Sequence, residues 1–218
     1  MKILHINCNY ITTALHQTMI EHLDTKGVKS EVFAPTYNHK LASISPRSNV
    51  IVAECFKKWD RIFFSYKNRK IQKALESIYD IKKVDLLHAY TLFTDGNVAY
   101  KLHKKYGIKY VVAVRNTDLN TFFKYRIHLR KRGIDIMRNA AAVFFLSQAY
   151  RDKMLKMYVP KKYRDEIERK AYVVPNGIDD FWFENKQTIS SQSFDVKKKE
   201  INVVYVGGVT RNKNIVTT

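Results

Sequence analysis

The order of apolar and polar positions divides the chain into short buried runs separated by helical patterns. Ile3–Ile6 is a brief apolar run. Ile11, Leu15, Met19 and Leu23 then recur at helical spacing, with Gly27 placed to close the helix. A second strand is expected at Ser30–Ala34, ended by Pro35, and a third at Asn49–Cys55. Ile71, Ala74, Leu75 and Ile78 mark one face of a helix. Val84–Ala89 is expected as a strand, and Asn97–Tyr106 as a helix stopped by Gly107. Tyr110–Val114 and Ala141–Leu146 are almost wholly apolar, as strands buried on both faces are. Ser147 is a natural N-cap for the helix bearing Met154, Met157 and Tyr158, and Ala171–Val174 is a last short strand. Strands too apolar to face water, alternating with helices, predict an α/β fold: a doubly wound, mostly parallel Rossmann-like sheet with helices on both faces.

Beyond this unit the pattern changes. Residues 184–200 are polar and rich in Ser, Gln and Lys, as a linker is. Ile201–Val206 then starts a new buried strand, followed by Gly207-Gly208 and a basic loop. The expected organisation is a domain over 1–183, a linker over 184–200, and the opening strand and loop of a second domain over 201–218.

Composition narrows the classes. With 218 residues and 45% hydrophobic content the chain can bury a substantial core. Cys8 and Cys55 have no zinc-type spacing and are expected as buried free thiols in a reducing compartment. The start, M-K-I-L-H-I-N, is too short and polar for a signal peptide, and no apolar run approaches a membrane span. A cytoplasmic protein is expected. Lys and Arg number 39 against 20 acids, a net charge of +19 that attracts nucleic acid, anionic lipid or phosphorylated substrates without choosing among them.

Two motifs flank the linker. Val173–Asp179 reads V-V-P-N-G-I-D, a strand exit in which Asn176 and Gly177 permit a turn. Val203–Asn214 reads V-V-Y-V-G-G-V-T-R-N-K-N. A buried strand opening through glycines into a helix N-terminus is an anion site, and Arg211 and Lys213 add positive charge there.

In this order the two motifs resemble those of retaining family-4 glycosyltransferases of GT-B architecture, and the resemblance extends along the chain. Leu86–Gly96, L-L-H-A-Y-T-L-F-T-D-G, looks like the family's His-bearing loop after the fourth strand. Arg115–Asp118, R-N-T-D, stands where many members carry H-G-x-D, and Val143–Ser147 resembles the strand-to-serine turn before a helix.

The resemblance implies an acceptor-binding first domain and a donor-binding second one. Lys213, with Arg211, would hold the donor diphosphate. His88 and Asp118 would be the catalytic candidates. Asn9, Tyr10, Asp95, Gly96, Arg115 and Asn116 would line the acceptor cleft, and Asn176 and Gly177 would form the interdomain hinge. It implies no metal and no cofactor beyond a nucleotide diphosphate sugar as co-substrate, with a glycan or lipid-linked acceptor. The chain departs from the pattern where Arg115 replaces a common histidine, where Gly208 stands in place of the family's arginine, and where Asn7-Cys8-Asn9-Tyr10 replaces a glycine-rich loop. The family's paired glutamates would lie beyond Thr218, so residues 1–218 alone are expected to be inactive. Plainer roles stand beside these: His88 as a core hydrogen-bonder, Asp95 and Asp118 as helix caps, Arg115 as a structural partner of a carboxylate, Lys213 as a surface lysine.

Two segments concentrate the charge. If Phe56–Arg69 is one helix, Phe56, Trp59, Phe63 and Tyr66 share a face opposite Lys57, Lys58, Arg61 and Arg69. That pattern suits an anionic membrane surface, or aromatics packed in the core. Phe123–Arg130 alternates apolar and basic residues as a strand would, yet the R-K-R-G that follows looks like a helix end. Taken with the resemblance, the charge favours peripheral contact with the inner leaflet over nucleic acid. The competing functions are a basic nucleic-acid-binding module and a GT-B relative without transferase activity, such as a sugar epimerase.

Overall fold

The computed structural model describes residues 1–177 and 180–184. Two compact units divide after Ile178. The described residues of the second form a single short helix, Asp180–Glu184. The segments 185–200 and 201–218, with Arg211 and Lys213, lie outside the described residues.

The first unit is built on seven strands: β1 (Lys2–Ile6), β2 (Lys29–Thr36), β3 (Val50–Glu54), β4 (Leu86–Ala89), β5 (Tyr110–Val114), β6 (Ala142–Phe145) and β7 (Ala171–Val173). All six pairings are parallel, in the order β3-β2-β1-β4-β5-β6-β7. Its helices are α1 (Leu15–Thr25), α2 (Phe64–Ile78), α3 (Thr94–Tyr106), α4 (Arg130–Asn139), α5 (Gln148–Met157) and α6 (Lys161–Glu168). Strand β2 shows how both faces are covered. Phe33 enters the main core with Leu4, Ile6, Ile71 and Leu75 on the α2 side. Val32 and Ala34 point the other way, into a smaller cluster with Tyr10, Ile11 and Ile20 of α1. Right-handed crossovers require this switch of face where the strand order reverses. The doubly wound α/β sheet expected from the sequence is the fold.

The local signals act as expected at most ends. Gly27 and Gly107 take left-handed φ of 75° and 76° after α1 and α3. The Ser147 hydroxyl accepts from Tyr150 N at 3.3 Å. Pro35, however, does not end β2, which continues to Thr36. The β1 pairing stops at Phe33, and the Pro35 nitrogen faces that unpaired side, so its missing N–H costs the ladder no bond.

Other readings change as well. Phe56–Arg69 is not one helix: a 3-10 turn at Lys58–Arg61 precedes α2. For Phe123–Arg130 the sequence left strand and helix open, and the structure is mostly helical, with a π-helical stretch at Asp118–Phe123 and a 3-10 turn at Ile127–Leu129. The R-K-R-G motif opens α4 instead of closing a helix, because Gly133 brings α4 against Phe123 and Phe93. A Cβ at Gly133 would lie 2.7 Å from Phe123 Cζ and 2.9 Å from Phe93 Cζ. Cys8 and Cys55 are free, but they are only half-buried, at the exits of β1 and β3.

Candidate functional site

The strand order reverses between β1 and β4, so the chain leaves these two neighbours in opposite directions and opens a crevice at their carboxyl ends. Residues after β1, β4, β5 and β7 meet there. Arg115 follows β5 and is held at three points. Its Nε donates to Tyr90 O at 3.0 Å, its Nη1 donates to Asn176 Oδ1 at 3.0 Å, and its Nη2 lies 3.5 Å from His16 Nε2. The guanidinium stays charged although half-buried, and its planar fork suits an oxyanion.

Behind Arg115 stands an aromatic stack. His88 lies face to face with Tyr90 at 4.4 Å between ring centroids, and His16 meets Tyr90 edge-on at 4.8 Å. The Tyr90 hydroxyl and His5 Nδ1 are 3.1 Å apart. Burial pushes His5 and His16 down to about 4, with Arg115 also disfavouring a charged His16. His88 is driven well below the usual histidine value by burial and by neighbouring His5 and Arg115. All three are neutral at pH 7 and supply no charged general acid.

The two candidate carboxylates are structural in their contacts. Asp118 is 2% exposed. Its Oδ2 accepts from Leu92 N (3.0 Å) and Arg115 N (2.8 Å), and its Oδ1 from Phe93 N (3.3 Å). It thereby ties the β4 exit to the β5 exit. Burial still pushes it up to about 6 against those donors. Asp95 is fully buried at the start of α3, accepting from Cys8 N (3.2 Å) and the Thr91 hydroxyl (3.0 Å), and burial raises it to about 7. Lys67 of α2 approaches the same corner, donating to the Thr94 hydroxyl at 3.0 Å. Burial and the nearby Asp95 carboxylate push the Cys8 thiol up, so it is no thiolate nucleophile.

The sequence candidates therefore separate. Arg115 and Asn176 join in one contact, and His88 lies behind them. Asn9 is exposed at the β1 exit, its N–H bonded to Asn7 Oδ1 at 3.0 Å, and Asn116 is exposed and bonded to Asn120. Tyr10 turns inward and is wholly buried against α1, so it is core rather than cleft wall. Gly96 is buried too: a Cβ there would sit 2.9 Å from Val112 Cγ2 and 3.1 Å from Thr91 O, so glycine allows α3 to approach β5. Gly177 has no positive φ, and a Cβ would meet nothing within 4 Å, so its turn does not demand glycine. Sequence reading did not single out His16, Tyr90 or Lys67. Tyr90 follows directly on His88 and Ala89, which is its one local signal; His16 and Lys67 reach the crevice only through tertiary packing. Among the described residues no group of three or more His, Cys, Asp or Glu could hold a metal ion.

Comparisons with known proteins bear on the family and the fold. The model of Glycosyltransferase Family 4 matches residues 17–180. No curated protein sequence matches the chain. Among solved structures, a sucrose-phosphate synthase from Thermosynechococcus elongatus has a TM-score of 0.58 at 14% identity, covering 87% of this chain and 98% of that one. UDP-GlcNAc 2-epimerase from Methanocaldococcus jannaschii has a TM-score of 0.55 at 12% identity, covering 88% of this chain and 50% of that one. The Neisseria meningitidis epimerase bound to UDP-GlcNAc has a TM-score of 0.53 at 12% identity, covering 88% and 51%. The chain thus spans about half the length of the two epimerases. At these identities the likeness is one of fold.

Proposed function

The chain belongs to glycosyltransferase family 4, and on that premise we propose that its crevice is the acceptor side of an enzyme that transfers a sugar from a nucleotide diphosphate sugar, with retention of anomeric configuration. The acceptor is a glycan or a lipid-linked saccharide, the setting is cell-surface polysaccharide assembly, and the protein works in the cytoplasm, peripherally on the inner membrane face. Nucleic acid is not a partner in this reading.

In the transfer step the bond from the anomeric carbon to the diphosphate oxygen breaks. An acceptor hydroxyl oxygen bonds to the same face of the sugar, and its proton leaves with the diphosphate. No metal is required, because Arg211 and Lys213 would meet the charge developing on the diphosphate. Arg115 supplies the cation on the acceptor side, and Asp118 acts as a positioning residue that fixes the loop bearing it. The neutral His88 stacks under Tyr90 and fixes the wall that orients the acceptor.

The observation that carries this reading is Arg115, held by Tyr90, Asn176 and His16 at the point where the strand order reverses. The test is titration of the intact protein with a panel of nucleotide diphosphate sugars, followed by NMR of the product anomer. Saturable binding and a retained anomer are expected. Failure to bind any nucleotide sugar would overturn the assignment.

A further inference from the structure

An apolar stripe on a helix normally turns toward the core. Trp59, Ile62, Phe63 and Tyr66 have that spacing, i, i+3, i+4, i+7, yet they face solvent. Trp59 is 76% exposed, Phe63 66% and Ile62 64%. The buried side of α2 is a separate set, Asn68, Ile71 and Leu75. A second exposed pair, Tyr125 (68%) and Ile127 (64%), comes from the helical segment after β5.

The two segments meet through their aromatic rings. The Phe64 ring meets Phe93 and Phe122 edge-on at 6.3 and 6.4 Å, and Phe122 stacks on Phe93 at 4.6 Å. Arg126 lies over Phe122 at 5.2 Å, and Arg61 and Arg126 both act electrostatically on Lys67. The charge around this surface is nearly all of one sign. Residues 55–73 contain seven Lys and Arg against Asp60 alone, and that carboxylate is already occupied by Lys70 at 2.7 Å. Residues 120–132 contain five and no acid.

Exposed apolar patches of this kind on a single domain need a covering partner. Aromatic and aliphatic side chains ringed by lysine and arginine match an anionic bilayer, whose interface takes the rings while its phosphates take the cations. A nucleic acid would match the charge, but it offers nothing to Ile62 and Ile127. We propose that these two segments form a single docking face for an anionic lipid bilayer, with Trp59, Ile62, Phe63, Tyr125 and Ile127 entering the headgroup region. Both segments leave the carboxyl edge of the sheet, after β3 and β5, which is the edge where the crevice opens. The docked surface would therefore deliver a lipid-linked acceptor to Arg115. Only this last step rests on the proposed transferase; docking is measured without nucleotide or turnover.

The test is co-sedimentation of the chain with phosphatidylcholine vesicles, with and without about one-third phosphatidylglycerol. Binding to the anionic vesicles alone is expected, persisting in part at high salt. In a Trp182→Phe background, leaving Trp59 as the single tryptophan, emission should shift blue and be quenched by brominated lipid. Trp59→Ser/Phe63→Ser and Tyr125→Ser/Ile127→Ser should each weaken binding about tenfold or more, as should Lys57→Glu/Lys58→Glu. Circular dichroism checks that each variant is folded, which is expected because these side chains face water. Three results overturn the proposal: no vesicle binding, binding insensitive to the aromatic variants and abolished by salt, or tighter binding to single-stranded RNA that the same aromatic variants leave intact.

Discussion

The Arg115 guanidinium donates to Asn176 Oδ1 at 3.0 Å, joining the exit of β5 to the segment after β7. These residues stand 61 positions apart and belong to two different motifs, R-N-T-D and P-N-G-I-D. The contact explains how a turn segment with little burial of its own can be positioned against the crevice.

Replacement of Arg115 separates its charge from its geometry. Arg115→Ala removes the crevice cation and is expected to lower kcat/KM of the intact enzyme about 10²- to 10³-fold, the usual loss for one preorganised donor. Arg115→Lys restores charge without the fork that reaches Tyr90 and Asn176 together, and should recover only a minor part. Asn176→Ala removes a single anchor and should cost less than Arg115→Ala. Equal kcat/KM for wild type and Arg115→Ala would exclude the crevice role.

Asp118→Ala is expected to destabilise the fold by about 3–5 kcal/mol. Three backbone N–H groups, on Leu92, Phe93 and Arg115, lose a buried acceptor, each at roughly 1–3 kcal/mol less whatever water recovers. Asp118→Asn keeps one oxygen and should cost about half as much. Urea denaturation reads both as a lower midpoint at unchanged slope.

Such roles show how far the sequence could be read. Strands such as Tyr110–Val114 were legible because a strand buried on both faces leaves an unbroken apolar run, and Gly27 and Gly107 because left-handed caps favour glycine. Phe56–Arg69 was not legible. Its outward stripe has the spacing of a core face, and only the second stripe at Ile71 and Leu75 decides which one is buried. Phe123–Arg130 stayed open between strand and helix, since short π and 3-10 pieces carry no single period. In the candidate site, the R-N-T-D motif marked the loop that carries Arg115 and Asp118 at the exit of β5. That Asp118 is occupied by backbone donors, and Tyr10 turned inward, depends on contacts the sequence does not encode locally.

Gly96→Ala tests whether this glycine serves packing or substrate. The added methyl group would meet Val112 Cγ2 at 2.9 Å, Thr91 O at 3.1 Å and Ile136 Cγ2 at 3.3 Å, pressing α3 away from β5. A loss of about 1–3 kcal/mol is expected from overpacking. Val112→Ala in the same molecule should recover part of it in a double-mutant cycle. A fall in activity with unchanged stability would return Gly96 to the acceptor cleft.

The pH dependence of stability follows from two opposed sets of buried groups. His5 and His16 fall from 6.5 to about 4 on folding, and burial also drives His88 well below 6.5. Between pH 6.5 and 4 the unfolded chain therefore binds protons at these positions that the native state refuses, and stability drops as pH falls. Asp118 is raised from 3.8 to about 6 and Asp95 to about 7, so over the same window the native state binds protons that the unfolded carboxylates release, and stability rises as pH falls. Three histidines against two carboxylates leave about one proton uncompensated, so wild-type stability should fall by roughly 1 kcal/mol per pH unit between pH 6 and 4. Asp118→Asn deletes one native-state proton, so its stability should fall more steeply with acid, by about 1.4 kcal/mol per pH unit in that window. Parallel wild-type and variant profiles in urea titrations would mean that the three backbone donors keep Asp118 ionised in spite of its burial.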